Sequence, residues 1–488
     1  MPDTNSFGMH FDADMFRIKV SAFIIWAGIF CSGAAKVQAQ GRLLGADLSY
    51  VNEMEDCGVT YLENHKARDL YDLLEDHGCA LARFRLWHTP SWYDQLNQGK
   101  RYSDLPDVMR SIKRAREHHM QVLLDFQLSD FWADPSRQWA PSAWSSVIAN
   151  QAILEDSLYE YVRRTLLDLH TAGLLPEMVQ IGNETNRDIL MAPGVDAPWE
   201  LNWSRNAPLF NTAIDAVRQV SSETGSPIRI ALHIAGPQNV EWYMDGFIEH
   251  GVTDFDVIGM SYYWPYHQPV TIGETGKIIG RLRQRYPDKE VMVLETGCIW
   301  TTASSDQAVN VLNEIEPGYG PPDPQNQAKW LIELTKEVYR QGGSGVIYWE
   351  PGWVSSGCRT YWGQGSHYEN AAFFDFDHNL LAEGGIRWLE YDFTTAISPV
   401  PVREEGFQIT FLSHECIFKS EAERFGAGYS YQLIDVLGRI VQSGTMHSLD
   451  GTDHQRTLPI TDQLSGWVTC ILLRQNRVVA VNSHWAGL

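Results

Sequence analysis

The chain has 488 residues, of which 44% are hydrophobic and 20% charged. These figures exclude a disordered chain, a collagen and a small disulfide scaffold, and the length admits one large barrel plus a smaller module. The formal net charge of −23 argues against a nucleic acid or an anionic membrane surface as partner.

The chain opens on an address. Arg17 and Lys19 precede an apolar run over residues 20–30, and small residues lead to Val37-Gln38-Ala39. This is the three-part pattern of a secretory signal peptide over residues 1–39, with cleavage expected after Ala39 and a secreted or cell-surface product. A start at Met15 would give a signal of more usual length. The run falls short of the roughly 20 residues that span a bilayer, and no other segment reads as transmembrane. A lipoprotein anchor on Cys31 is the rival, disfavoured by the bulky Phe30 before it. Six cysteines remain beyond Ala39: Cys57, Cys79, Cys298, Cys358, Cys416 and Cys470. Export permits disulfides, but their pairing is not readable from spacing, and the spacing resembles no zinc site.

Eight apolar, β-rich runs follow, over residues 42–50, 81–87, 121–127, 178–184, 229–234, 257–263, 291–297 and 345–351. Amphipathic stretches fill the gaps, as over 105–119, 154–171 and 326–341. Strands this apolar are expected to be buried on both faces, as in a parallel sheet. The fold class expected for residues 40–395 is therefore α/β, a (β/α)₈ TIM barrel. An open doubly wound sheet is the alternative; no Gly-rich phosphate loop follows a strand to support its nucleotide-binding form.

In such barrels chemistry gathers at the carboxyl ends of the strands. Asp47, Arg85, Trp87, Asp125, Gln127, Asn183, Glu184, His233, Tyr262, Tyr263, Glu295, Trp349 and Glu350 all fall there. Strands four and seven, ending in Glu184 and Glu295, lie three apart around an eight-stranded ring and face one another across its mouth. Two facing carboxyls suit retaining glycoside hydrolysis, which needs them about 5–5.5 Å apart. One attacks the anomeric carbon, and the other protonates the leaving oxygen and then activates water. Arg85 is expected to hold the nucleophile anionic, Tyr263 to donate a hydrogen bond to it, and Asn183 to bind the sugar 2-hydroxyl. Glu184 read blandly is a salt-bridged strand end. Glu350, which also ends a strand, is a rival nucleophile.

The segments Gly45-Ala46-Asp47-Leu48-Ser49, Arg83-Phe84-Arg85-Leu86-Trp87, Ser129-Asp130-Phe131-Trp132-Ala133-Asp134-Pro135, Gly182-Asn183-Glu184, Gly259-Met260-Ser261-Tyr262-Tyr263, Leu294-Glu295-Thr296 and Tyr348-Trp349-Glu350-Pro351 carry a resemblance. In content and order they resemble glycoside hydrolase family 53, the endo-β-1,4-galactanases, from residue 42 to about 390. The Ser-Asp-Xaa-Trp-Ala-Asp-Pro segment is the distinctive one. The resemblance implies Glu184 as acid/base, Glu295 as nucleophile and a groove for the β-1,4-galactan of type I arabinogalactan, with Trp132, Trp300 or Trp349 stacking on sugar. No cofactor is expected, and a monomer is. Some bacterial members bind calcium in a rim loop, but no compact Asp/Asn cluster here suggests where. Two departures stand out. Gln127-Leu128 replaces a usual His-Tyr, which bears on sugar preference and pH profile, and the alternatives are a retaining glycosidase of the same clan acting on another β-glycan or a weakened polysaccharide-binding barrel. The loop at Cys298-Ile299 also differs, and Cys298 and Cys358 follow adjacent strands, so a rim disulfide between them is one candidate pairing, with buried free thiols as the alternative.

From about Ser398 the character changes. Residues 407–411, 429–436, 439–442, 455–460, 466–473 and 477–481 read as short strands, and a β-sandwich module over residues 399–488 is expected. Residues 431–439, Ser443-Gly444 and Leu464-Ser465-Gly466-Trp467 resemble a type IX secretion sorting domain. The usual basic tail is replaced by Asn482-Ser483-His484-Trp485, and a spacer or carbohydrate-binding module is the alternative.

Overall fold

The computed structural model describes residues 42–195 and 201–393, and beyond them the strands of the carboxyl-terminal region. The expected signal peptide, with Cys31, lies outside the described residues, as do Leu464 and Ser465.

Eight parallel strands close into a barrel: β1 (Leu43–Asp47), β2 (Leu81–Leu86), β3 (Gln121–Phe126), β4 (Met178–Ile181), β5 (Arg229–Ala235), β6 (Val257–Tyr262), β7 (Glu290–Thr296) and β8 (Gly345–Tyr348). Each pairs with its neighbours in sequence, and β8 returns to β1 with Leu43 opposite Gly345. The alternation of the strands fills the interior. Leu43, Leu81, Leu123, Met178, Ala231, Val257, Met292 and Ile347, one from each strand, form a closed apolar plug with Leu294 at the amino-terminal end of the barrel. The opposite end is left to polar groups.

Helices alternate with the strands: α1 (Leu70–Asp76), α2 (Leu105–Glu117), α3 (Gln151–Thr171), α4 (Trp203–Thr224), α5 (Pro237–Glu249), α6 (Ile272–Arg285), α7 (Pro324–Arg340) and α8 (Ile386–Glu390). Their starts are written in the sequence. Asp69, Asp104, Asn150, Asn202, Thr271 and Asp323 each accept a hydrogen bond from a first-turn backbone N–H, which satisfies donors the helix itself cannot. Asn150 and Asp323 explain why α3 and α7 begin two or three residues before their apolar periodicity does.

The carboxyl-terminal region forms two antiparallel sheets. Strands β9 (Phe407–Leu412), β10 (Glu415–Ser420) and β13 (Gln455–Pro459) make one, in the order β9-β10-β13. Strands β11 (Tyr429–Asp435), β12 (Ile440–Thr445), β14 (Gly466–Arg474) and β15 (Arg477–Ala486) make the other, in the order β12-β11-β14-β15. Strand β10 is absent from the sequence reading; its apolar residues are two, Ile417 and Phe418, beside Cys416 and between charged ends.

The candidate Cys298–Cys358 bridge is not formed. Cys358 is bonded instead to Cys57, at the end of the short helix Val51–Asp56. The loop after β8 travels past its own strand to β1, the next strand round the closed ring, and leaves Cys298 a buried thiol. Among the described residues, no helix is long and apolar enough to cross a membrane, and no cluster of side chains is arranged to hold a metal.

Candidate active site

Arg83 organises the mouth of the barrel. It lies in the middle of β2 and is 1% exposed. Its Nη1 donates to Asp47 Oδ2 (2.6 Å) on β1 and faces Glu295 Oε2 (3.2 Å) on β7. Its Nη2 donates to Asp125 Oδ2 (2.9 Å) and Asn183 Oδ1 (2.8 Å), and its Nε to Gln180 Oε1 (3.3 Å). Three buried carboxyl groups thus share one cation. Burial pushes Asp125 up to about 7 against the pull of Arg83 and Gln127.

The two glutamates sit in unlike surroundings. Glu184 follows β4 through a turn in which Gly182 (φ 74°) and Glu184 itself (φ 46°) take left-handed conformations. The second costs a side-chain-bearing residue backbone strain, and it ends β4 at Ile181, earlier than expected. Ser261 Oγ on β6 donates to Glu184 Oε1 at 2.6 Å, and His233 Nε2 on β5 lies 2.9 Å behind Ser261. His233 Nδ1 lies 3.1 Å from Gln180 Nε2 and 3.0 Å from Asn183 Oδ1. Burial, reinforced by Arg83, holds His233 well below its usual range, hence neutral. Burial first, and then the charge of Glu295, push the Glu184 carboxyl up to about 8, while Ser261 opposes the rise. Glu295 is also pushed up by burial, but Arg83 and the Tyr263 hydroxyl, 2.9 Å from Oε1, pull it back down. The pair therefore splits into a proton holder, Glu184, and a more acidic partner, Glu295.

A cavity of about 610 Å³ opens over this pair and is lined by Trp132, Trp349, Trp353 and Trp362 among others. A neighbouring cavity of about 360 Å³ shares Glu184, Glu295 and Trp349 and adds Tyr263, Tyr266 and Tyr368. The glutamates thus border both open spaces.

Of the residues singled out in the sequence, Arg85, Gln127, Trp132, Asn183, Glu184, Glu295, Trp349 and Tyr263 line these cavities. Asp47, Asp125 and His233 are fully buried and lie beneath, where they hold Arg83 and Ser261. After Arg83, a weaker pull that lowers Glu295 comes from Arg85. Its Nη1 pairs with Glu350 Oε1 at 3.3 Å, and its guanidinium carbon lies 4.1–4.7 Å from the ring centres of Tyr50, Trp87 and Trp132. The ion partner of Glu295 is Arg83, two residues earlier on the same face of the strand. Trp300 does not line the groove: its Nε1 donates to the Glu369 carbonyl at 3.2 Å and its ring packs on Phe376. Glu350 is buried at its ion pair with Arg85 and at the Tyr50 N–H, outside both linings. Asn183 spends its side chain on Arg83, Gln180 and the Ala133 carbonyl. Gln127 donates to Asp125 (2.8 Å) and accepts from the Ala133 N–H (3.0 Å), tying the Trp132 segment to β3. Arg83, Gln180 and Ser261 were missed in the sequence. Alternation along β2 and β4 was the available signal, since Arg83 and Arg85 point to one side, as do Gln180 and the carboxyl-end polar groups.

A closed parallel barrel with two unlike carboxyl groups facing each other at the carboxyl ends of its fourth and seventh strands defines a glycoside hydrolase. The profile of Glycosyl hydrolase family 53 matches residues 43–383, and the chain belongs to that family. It is 46% identical over 361 residues to an arabinogalactan endo-β-1,4-galactanase of Cellvibrio japonicus (strain Ueda107), covering 74% of this chain and 93% of that one. It is 33% identical to an endo-β-1,4-galactanase of Bacillus subtilis (strain 168), covering 67% and 74%. Among solved structures, the GH53 catalytic domain of Ignisphaera aggregans superposes with a TM-score of 0.64 at 32% identity, covering 72% of this chain and 96% of that one.

Proposed function

We propose that the protein is an exported endo-β-1,4-galactanase that cleaves the β-1,4-galactan of type I arabinogalactan with retention, using Glu295 as nucleophile and Glu184 as acid/base. The observation that carries this is the asymmetry of the pair. Glu295 faces Arg83 and Tyr263, while Glu184, pushed up to about 8, keeps a proton at neutral pH.

In the first step a Glu295 oxygen bonds to the anomeric carbon as the glycosidic bond breaks, and the Glu184 proton passes to the departing oxygen. Glu184 is left anionic, and the Ser261 hydroxyl already aimed at Oε1 stabilises that charge. In the second step Glu184 takes a proton from water, the water oxygen bonds to the anomeric carbon, and Glu295 leaves as carboxylate with Arg83 beside it. Endo action is supported by the two neighbouring cavities that share the pair in their walls. The galactan preference is supported by the relatives, which are galactanases.

Residues 1–39 are read as the export signal, 40–395 as the catalytic domain and 399–488 as a module for sorting or glycan attachment. Loss of export with intact specific activity on removal of residues 399–488 supports sorting; loss of polymer binding alone supports attachment. The catalytic reading is tested on galactan against cellulose and mannan. Wild type releases galacto-oligosaccharides, Glu295→Ala is inactive on every substrate, and Glu184→Ala keeps measurable turnover where the leaving group needs no proton, as in an activated aryl galactoside. Equal inactivity of both variants on that aryl substrate would remove the assignment of roles.

A further inference from the structure

We propose that Cys416 and Cys470 are a second disulfide site, closing a covalent link between the two carboxyl-terminal sheets. Cys416 lies on β10 and Cys470 on β14, in different sheets. Strand alternation puts Cys416 on the same face as Phe418, and Cys470 on the same face as Leu472; all four are 0–1% exposed. In register, Leu433 stands opposite Cys470 and Tyr431 opposite Leu472, so the inner face of the four-stranded sheet includes Tyr431. The Phe418 ring meets the Tyr431 ring at 6.1 Å across the gap. The two sheets therefore pack by the faces that carry the cysteines, and the thiol of Cys470 has the thiol of Cys416 as its hydrogen-bond partner. Cys79 and Cys298 differ: each is a buried thiol directed at a backbone carbonyl, of Leu81 and of Ile299.

The step balances with an oxidant of the disulfide class. One cysteine, as thiolate, attacks a sulfur of the oxidant, forming a mixed disulfide and releasing one thiol. The second then displaces the remaining oxidant thiol. The protein pair loses two protons and two electrons, and the oxidant becomes two thiols. The hydrogen bond with Cys416, and then burial, raise the Cys470 thiol far above its usual range, so the attack belongs to moments when the sheets open, or to folding. The proposal needs from the export reading only that the chain meets such an oxidant, and its test supplies one.

Active full-length protein is equilibrated with oxidised glutathione until the Cys57 and Cys358 peptides are crosslinked. It is then denatured, alkylated without reductant, digested and mass-mapped. The expected map joins the Cys416 peptide to the Cys470 peptide and leaves Cys79 and Cys298 alkylated. Cys470→Ala should abolish that crosslinked species and leave Cys416 alkylated. Alkylated Cys416 and Cys470 in wild-type protein whose Cys57–Cys358 bridge is closed would overturn the proposal, as would either cysteine crosslinked elsewhere. Secretion of the chain is scored separately, so failure of export and failure of the bridge are read apart.

Discussion

Arg83 Nη1 stands 3.2 Å from Glu295 Oε2 and 2.6 Å from Asp47 Oδ2, so one buried guanidinium opposes the rise that burial imposes on the glutamate of β7 and ties it to β1. Replacing Arg83 with Met strips the cation from Asp47, Asp125 and Glu295 together. Removing one partner of a buried ion pair costs about 3–5 kcal/mol, and urea unfolding should show a loss of that order. Arg83→Lys keeps a charge but loses the fork. With the pull on Glu295 weakened, its carboxyl moves up, and the nucleophile must be ionised. The acidic limb of the kcat/KM profile should therefore shift to higher pH.

Ser261→Ala acts on the other limb. The serine hydroxyl favours the charged form of Glu184, so its loss raises Glu184 further and keeps the acid protonated to higher pH. The alkaline limb should move up. The rate should fall severalfold, because the anion formed at Glu184 during the first step loses a hydrogen bond worth about 1.5–3 kcal/mol to a charged group. A profile that moves down at the alkaline side would contradict the geometry.

Glu184→Gln separates stability from activity. Folding raises this carboxyl from an ordinary glutamate value to about 8. The folded state then binds a proton that the unfolded state gives up. Stability from this group is fully present below the unfolded value, near pH 4, and is lost as pH rises through about 8. A neutral amide removes that dependence. The variant should match wild type near pH 4 and melt at higher temperature near pH 9, with activity on galactan lost. Thermal unfolding at the two pH values checks it.

Gln127 is tested by Gln127→Leu. The change leaves the Ala133 N–H unpaired and takes a donor from Asp125, a cost of about 1–3 kcal/mol for each buried group left unsatisfied. The Trp132 segment loosens, and KM for galactan should rise more than kcat falls.

Trp132 and Trp300 should part company. Trp132 lines the groove, against Arg85 and Trp349, whereas Trp300 packs on Phe376 outside it. Trp132→Ala should raise KM severalfold. Trp300→Ala should leave KM unchanged and lower the melting temperature.

Much of this arrangement was legible in the chain. Apolar runs and helix caps mark the barrel and its order, Glu295 is the penultimate residue of β7, and Asn183-Glu184 follow β4 through a tight turn. Arg83 was not singled out because the end of a strand draws attention, and the residue two places inward does the work in a ring that narrows toward its axis. Ser261 was passed over because a serine beside two tyrosines carries no charge to betray it. The Cys57–Cys358 bond escaped for a different reason. Strand order puts Cys298 next to Cys358, but the path of a loop over the barrel mouth is decided by packing that no local pattern encodes. Trp300 and Trp132 were indistinguishable as letters; the hydrogen bond to the Glu369 carbonyl separates them.

The anomeric configuration of the first product tests the account most directly. Proton NMR of β-1,4-galactan digested at high enzyme concentration reads the new reducing end before mutarotation. Double displacement through Glu295 and Glu184 predicts that the β-anomer appears first and the α-anomer only later. The α-anomer first, or no release of galacto-oligosaccharides from this polymer, would contradict it.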